Sequence, residues 1–450
     1  MVHMDPNLSQ LTLTVGLELP GNTNYSAEAV KAAWISARAE SPVIACTVVN
    51  EGMQYQVPTE DELIEWAEAT VSIDRSGRNG REMATTTTMP ESTTLYFFPE
   101  AREIAINARH ELCDSIALLL LANTVLKHLR TGSGSSDMYK IGEEVARLPS
   151  SAFRSVDGQD SLSSEGIAKA HHTVNQYLDK SATTLMTPTR LAEIRGATPY
   201  LPQGRFEHQF SEAESATIFK ICRAKGITLT AAIWAAYAQA VLEYSGKNAG
   251  NVACSIPINV RGRFQGRPQD RATGNGNISN QAIISAYTNR FVDTNTDFIG
   301  WAKDSQRELG GWRNREDSLQ IFQYLSGVLK EQIATDLKAG IVYPTSLFIS
   351  NVGVSEDYIT EPINDVWFNA MISTAWNTGI LILTTHGKIR LETFYNRAFH
   401  HEGEIGNFMN MLVGHLRKGL GVVVVPDRGF GGVDPSFREN EKFLRISCRL

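Results

Sequence analysis

Apolar and polar residues along this chain switch repeatedly between a period of two and a period near 3.6. LTLTVGLEL at 11–19 alternates and predicts a half-buried strand. Ser26 then stands as an N-cap before AEAVKAAWISARAE, whose apolar residues recur at helical spacing. IACTVV at 44–49 reads as a second strand and DELIEWAEATV at 61–71 as a short helix with an acidic start. The stretch 74–93 is rich in Thr, Gly and charge with no period, which predicts a surface loop. Two strands follow, TTLYFFP and REIAINA, and lead into His110 and a Leu-rich helix from about Asp114 to His128.

A long helix over 163–178 precedes a crossover rich in Pro and Thr. Beyond it, Ser211 and Glu214 make a capping box, Gly226 ends the helix, and Thr228 or Thr230 starts a second, more apolar one. The strands VACSIPINV and QAIISAY flank a loop of Arg, Gly and Asn. Helices through WAKDSQREL and SLQIFQYLSGVLKEQI, the strands TSLFISNV, GILILTTH and KIRLETFYN, and the helix EIGNFMNMLVGHLRKGL complete the order. Helices and strands intermingle throughout, which predicts an α/β protein of two layered halves, 1–185 and 206–450, joined by a linker at 186–205.

Composition narrows the function classes. The 450 residues carry 42 Lys and Arg against 49 Asp and Glu, a net charge of −7, which argues against general affinity for nucleic acid or anionic membrane. Cys46, Cys113, Cys222, Cys254 and Cys448 form no CxxC or Cys/His pattern, so a reduced intracellular protein without a metal site is expected. SIALLLLANTVL is the most apolar run and stops short of the roughly 18 residues that a membrane span needs. The expected location is the cytoplasm. Cys448-Arg449-Leu450 fits a relaxed form of the C-terminal peroxisomal address and offers an alternative.

One constellation stands out for chemistry. Three histidines have an acid four places on: His110/Asp114, His208/Glu212 and His400/Glu404. Ten histidines in a chain this acidic give about one such pair by chance, so spacing alone carries nothing. Context separates them. His110 alone sits where an apolar strand meets an apolar helix, the kind of junction at which a rigid scaffold presents side chains to a cleft.

The strand-His110-xxx-Asp114-helix unit resembles the HxxxDG signature of the CoA-dependent acyltransferase superfamily of chloramphenicol acetyltransferase-like folds. The resemblance is collinear from about residue 90 to 420. FSEAESATIFKICRAKGITLTAAIWAAYAQAV is similar to the stretch opening the second half of alcohol acetyltransferases and fungal secondary-metabolite O-acyltransferases. SIPINVRGR resembles the P-x-N-x-R strand end, TSLFISNVG the S-N-x-G strand, and LETFYNRAFHHEGEIGNFMNMLVGHL the final strand and helix. Position 115 is Ser where the family usually has Gly, so the turn after Asp114 is expected to form without glycine's freedom. The plant-type DFGWG is missing; Asp297 to Trp301 mimics it and reads as a helix start. The pair His171-His172 mimics a condensation-domain motif and reads as a helix face.

The resemblance implies two α/β sandwich domains with a tunnel between them and a monomeric O-acyltransferase. Its co-substrate is an acyl-CoA, in the first place acetyl-CoA, and its acceptor a hydroxyl of a hydrophobic natural product. His110 is implied as general base, worth roughly 10²- to 10⁴-fold. Asn351 and Ser350 are implied as oxyanion donors. Asp114 is implied to turn away and pair with Arg261, with Arg263 a fallback. Gly274-Asn275-Gly276-Asn277 lacks a dinucleotide fingerprint's third glycine and reads as a turn shaping the donor tunnel, with Gly274 and Asn275 offered to the CoA substrate. Cys113 reads as a small core residue, and Trp367, Trp376 and Tyr395 as core or pocket lining. Two other functions stay open: condensation of an acyl group carried on a carrier protein, and a catalytically lapsed homologue that binds a ligand or steers a cyclisation.

Overall fold

The computed structural model describes residues 11–49, 52–87, 90–132, 140–148, 163–177, 203–261, 283–315, 317–338, 347–372, 378–397 and 400–422. The first half supplies β1 (Leu11–Glu18), α1 (Ala27–Glu40), the hairpin β2 (Thr47–Val49) and β3 (Gly52–Gln54), α2 (Glu60–Thr70), β4 (Val71–Ile73), α3 (Gly80–Thr86), β5 (Thr94–Phe98), β6 (Glu103–Arg109), α4 (Ser115–Thr131) and α5 (Ser164–Tyr177). The second supplies β7 (Gln203–Gln209), α6 (Glu212–Lys225), α7 (Leu229–Tyr244), β8 (Ala249–Asn259), β9 (Ile283–Asp293), α8 (Phe298–Asn314) and α9 (Ser318–Lys338). It continues with β10 (Leu347–Val354), β11 (Asp365–Ile372), β12 (Thr378–Thr385), β13 (Lys388–Asn396) and α10 (Glu402–Leu420).

The elements start where local chemistry says they should. Ser26, Ser211 and Thr228 each cap a helix by accepting a backbone N–H three residues on, at 3.1, 3.2 and 3.2 Å. Gly226 ends α6 with φ +68°. Three expectations fail in detail. Ile44 and Ala45 belong to a 3₁₀ turn, and only Thr47–Val49 is strand. The stretch expected as a loop contains α3, because Asn79 and Glu82 form a capping box and Met83 and Ala84 find burial. Glu214 gives its carboxylate to Arg417 at 2.7 Å, so Ser211 caps α6 while the Glu214 side chain serves α10.

Two sheets organise the molecule. The first has the order β11-β1-β6-β5-β4, the second β7-β13-β12-β10-β8-β9. Val15, Leu17, Ile104 and Ile106 face Trp34 of α1 and the leucines of α4 in one core; Trp234 and Tyr237 of α7 pack with Phe408 and Leu412 of α10 on the second sheet. The sheets do not respect the division at 186–205. Helix α5, from before it, packs on α9 and β9. Strand β11, from after it, joins the edge of the first sheet beside β1.

Side chains seal the other edge of β11. Arg390 donates to Val366 O at 2.6 Å, Arg205 to Phe368 O at 3.2 Å, and Glu392 accepts from Phe368 N at 2.9 Å. Arg205 also pairs with Glu392 at 2.8 Å, and Arg390 grips both Asp365 oxygens at 2.7 and 2.8 Å. Groups on β7 and β13 thereby take the place of a neighbouring strand and tie the two sheets together.

Candidate active site

His110 emerges at the C-terminal end of β6. Its backbone N–H donates to Leu11 O at 2.9 Å, and a turn returning Leu112 N to Arg109 O at 2.9 Å swings the chain toward α4. Nδ1 of His110 is buried with no hydrogen-bond partner among the described residues. Burial holds the imidazole below its ordinary pKa, against the opposing pull of its own backbone carbonyl and the Asp114 and Glu111 charges. A neutral ring at neutral pH is the form that can take a proton.

Asp114 divides its two oxygens between two tasks. Oδ1 accepts from Ala117 N at 2.8 Å and caps α4, while Oδ2 accepts from Arg261 Nη2 at 2.6 Å. The carboxylate is 2% exposed. This pair joins the His110 loop of the first half to the end of β8 in the second. Ser115 begins α4 directly; among described residues other than glycine only Arg102 and His386 have positive φ, so the turn asks for no glycine there.

The β10 residues face opposite ways. Ile349 belongs to the second core, and Asn351 follows it, donating from Nδ2 to Thr230 Oγ1 on α7 at 2.8 Å. Asn351 Oδ1 accepts from Gly353 N at 2.9 Å across the irregularity in the β10–β12 register, where Gly353 takes φ +99°. Ser350 alternates to the face of Phe348, which packs on the first core. Thr230 therefore enters as an anchor of Asn351 that its sequence context gave no reason to choose beyond its place near a helix start.

Several residues resolve as structural. Cys113 is buried and its thiol pushed far up by burial, the state of an inert core residue. Trp367 and Tyr395 are both 0% exposed. Asp297 caps α8, accepting from Gly300 N at 2.7 Å. His171 bonds Tyr324 at 3.1 Å from an exposed face of α5, and His172 lines a cavity of about 350 Å³ with Lys169, Glu308 and Trp312, apart from His110. Arg263, Gly274, Asn275, Trp376, most of the linker and Cys448-Arg449-Leu450 lie outside the described residues. No helix among the described residues is long and apolar enough to cross a membrane.

Comparison with known proteins adds relatives. No family model matches the chain. It is 21% identical over 414 residues to the O-acetyltransferase pigM of Monascus ruber, across 87% of this chain and 75% of that one. It is 25% identical over 239 residues to the acetyltransferase pigO of the same organism, across 52% and 50% of the two chains. Among solved structures, the TRI3 trichothecene 15-O-acetyltransferase of Fusarium sporotrichioides matches with TM-score 0.72 at 15% identity, over 92% of this chain and 91% of that one. The first condensation domain of the calcium-dependent antibiotic synthetase matches with TM-score 0.62 at 12% identity, over 92% and 93%. The relatives are thus an O-acetyltransferase and an acetyltransferase of Monascus ruber, and the fold is the two-lobed chloramphenicol acetyltransferase-like one that the motifs implied.

Proposed function

We propose that this protein is an O-acyltransferase that moves an acetyl or other short acyl group from a CoA thioester to a hydroxyl of a hydrophobic small molecule, with His110 as general base. The observation that carries it is a buried imidazole, held neutral, on a loop braced by the Asp114–Arg261 pair, in a chain whose relatives are an O-acetyltransferase and an acetyltransferase. With Nδ1 buried, Nε2 is the nitrogen left to meet substrate. It removes the proton as the acceptor oxygen attacks the thioester carbonyl. The tetrahedral intermediate then expels the CoA thiolate, which takes that proton from the imidazolium. Because the thioester is already activated, no nucleotide is consumed.

For the oxyanion, the orientation of Ser350 toward the first core supports it over Asn351, whose carboxamide is engaged by Thr230 and Gly353. Gly274 and Asn275 are proposed as contacts of the CoA substrate. Release of free thiol from acetyl-CoA with a panel of lipophilic alcohols tests the activity. His110→Ala, folded and as heat-stable as wild type, is expected to lose about 10²-fold or more in kcat; a folded variant as fast as wild type refutes the base. The fold shared with a condensation domain supports a second reading, a carrier-bound donor. It requires an acyl group on a carrier pantetheine arm to outcompete acetyl-CoA.

A further inference from the structure

A cavity away from His110 lies in the groove between α5 and α8, over the start of α9. Its volume is about 350 Å³, in the range of small-molecule sites. Lys169, His172, Thr173 and Gln176 line it from α5, and Glu308, Gly311, Trp312 and Arg315 from α8 and its C-cap. Both sets follow the i, i+3, i+4, i+7 spacing, so each is a single helix face. Trp312 and Ile321 of α9 give the groove an apolar floor, as members of the core cluster that α5, α9 and β9 share. The two faces stay apart at Gly311, where a Cβ would meet nothing within 4 Å.

Contacts at the two ends show that the helices run antiparallel and that the groove is polarised. At one end Gln176 O accepts from Asn289 at 2.9 Å, and Glu308 stands 3.7 Å from Arg290, the next residue of β9. At the other end Arg315 donates to Asp317 at 2.9 Å, and Arg315 and, more weakly, Lys169 hold the Asp317 carboxyl below its ordinary pKa. Seven residues separate Lys169 from Gln176 and Glu308 from Arg315, about 10 Å at the rise of a helix. An amine therefore stands at one end and a carboxylate at the other.

These groups are not spent on one another. Lys169 makes no ion pair or hydrogen bond to a described residue. The 3.7 Å from Glu308 to Arg290 is too long for a hydrogen bond, and burial raises the Glu308 carboxyl above its ordinary pKa against the Arg290 charge. Thr173 and Trp312 are each 8% exposed, and neither the hydroxyl nor the indole N–H bonds to a described residue. A polar group left unpaired in a buried site costs free energy that a polar ligand restores.

We propose that this groove binds a dipeptide as its zwitterion, the carboxylate against Lys169 and the ammonium against Glu308. Two extended residues span about 7 Å, within reach of charged side chains set about 10 Å apart along the helices. Between the charged ends the Trp312 N–H donates to the peptide carbonyl and the Thr173 hydroxyl accepts from the peptide N–H. An apolar side chain of the ligand covers Trp312 and Ile321. Nothing in this recognition involves His110, so it stands or falls apart from the acyl-transfer reading.

Calorimetric titration of the full chain at low ionic strength with leucylglycine, its N-acetyl derivative and its C-terminal amide tests the site. Wild type is expected to bind the free dipeptide about fivefold or more tightly than either blocked form, since each block removes a charge-assisted hydrogen bond. Lys169→Met is expected to bind the dipeptide and its amide within about twofold of one another, and Glu308→Gln to do the same for the dipeptide and its N-acetyl form. Gly311→Leu fills the groove with a better helix former, so it is expected to keep or raise thermal stability while abolishing binding. Absence of binding in wild type, blocked forms as tight as the free dipeptide, or a folded Gly311→Leu that binds like wild type overturns the proposal.

Discussion

Replacing Asp114 separates the two tasks of one carboxylate. Asn caps a helix about as well as Asp, so Asp114→Asn keeps the bond from Ala117 N and removes the charge that faces Arg261. Arg261, its side chain 10% exposed, then loses its buried carboxylate partner, which costs about 3–5 kcal/mol. Asp114→Ala forfeits the cap as well and is expected to lose about 1 kcal/mol more. Arg261→Met strands the carboxylate in turn. The double variant Asp114→Asn/Arg261→Met is expected to be far less destabilised than the sum, with a coupling of about 2 kcal/mol or more. Seven tryptophans spread over both halves make urea unfolding easy to follow by fluorescence, with circular dichroism as the check on two-state behaviour. If Asp114→Asn costs under about 1 kcal/mol, or the two changes simply add, the pair does not brace the loop and the reasoning fails.

Burial raises the Glu392 carboxyl from 4.5 to about 7, outweighing Arg205 and Arg390. A carboxyl raised on folding supports the native state fully below its unfolded pKa and loses that support as pH rises through its folded one. The stability of Glu392→Gln relative to wild type should therefore improve by about 3 kcal/mol from about pH 5 to pH 8, and parallel pH profiles would refute this. At the first residue of α4, Ser115→Gly is expected to lower stability by about 0.5–1 kcal/mol without raising kcat, since the backbone there needs no glycine; a faster enzyme would contradict it.

The chain's periodicity determined nearly every element around His110, because strand, turn and N-cap are local and their signals lie within a few residues. His110, Asp114, Ser350 and Asn351 could be named from motifs for the same reason. Which of them meet was decided by tertiary structure. The Asp114–Arg261 bond closes over 147 positions, and no local pattern records a contact of that separation.

The sequence reading has no strand at 365–372, and β11 shows why. DVWFNAMI carries Asp, Trp and Asn that earn their places only against Arg390, Gly16 and Thr14 on other strands. Asn107 is similar: within REIAINA it is one polar residue in an apolar run, and only the register of four strands sets it beside Thr14 and in the row of Asn369. Orientation was likewise out of reach. Adjacent residues of β10 point to opposite faces, and which face looks toward the His110 half depends on how the second sheet packs, a property of the assembled layers and of no single segment.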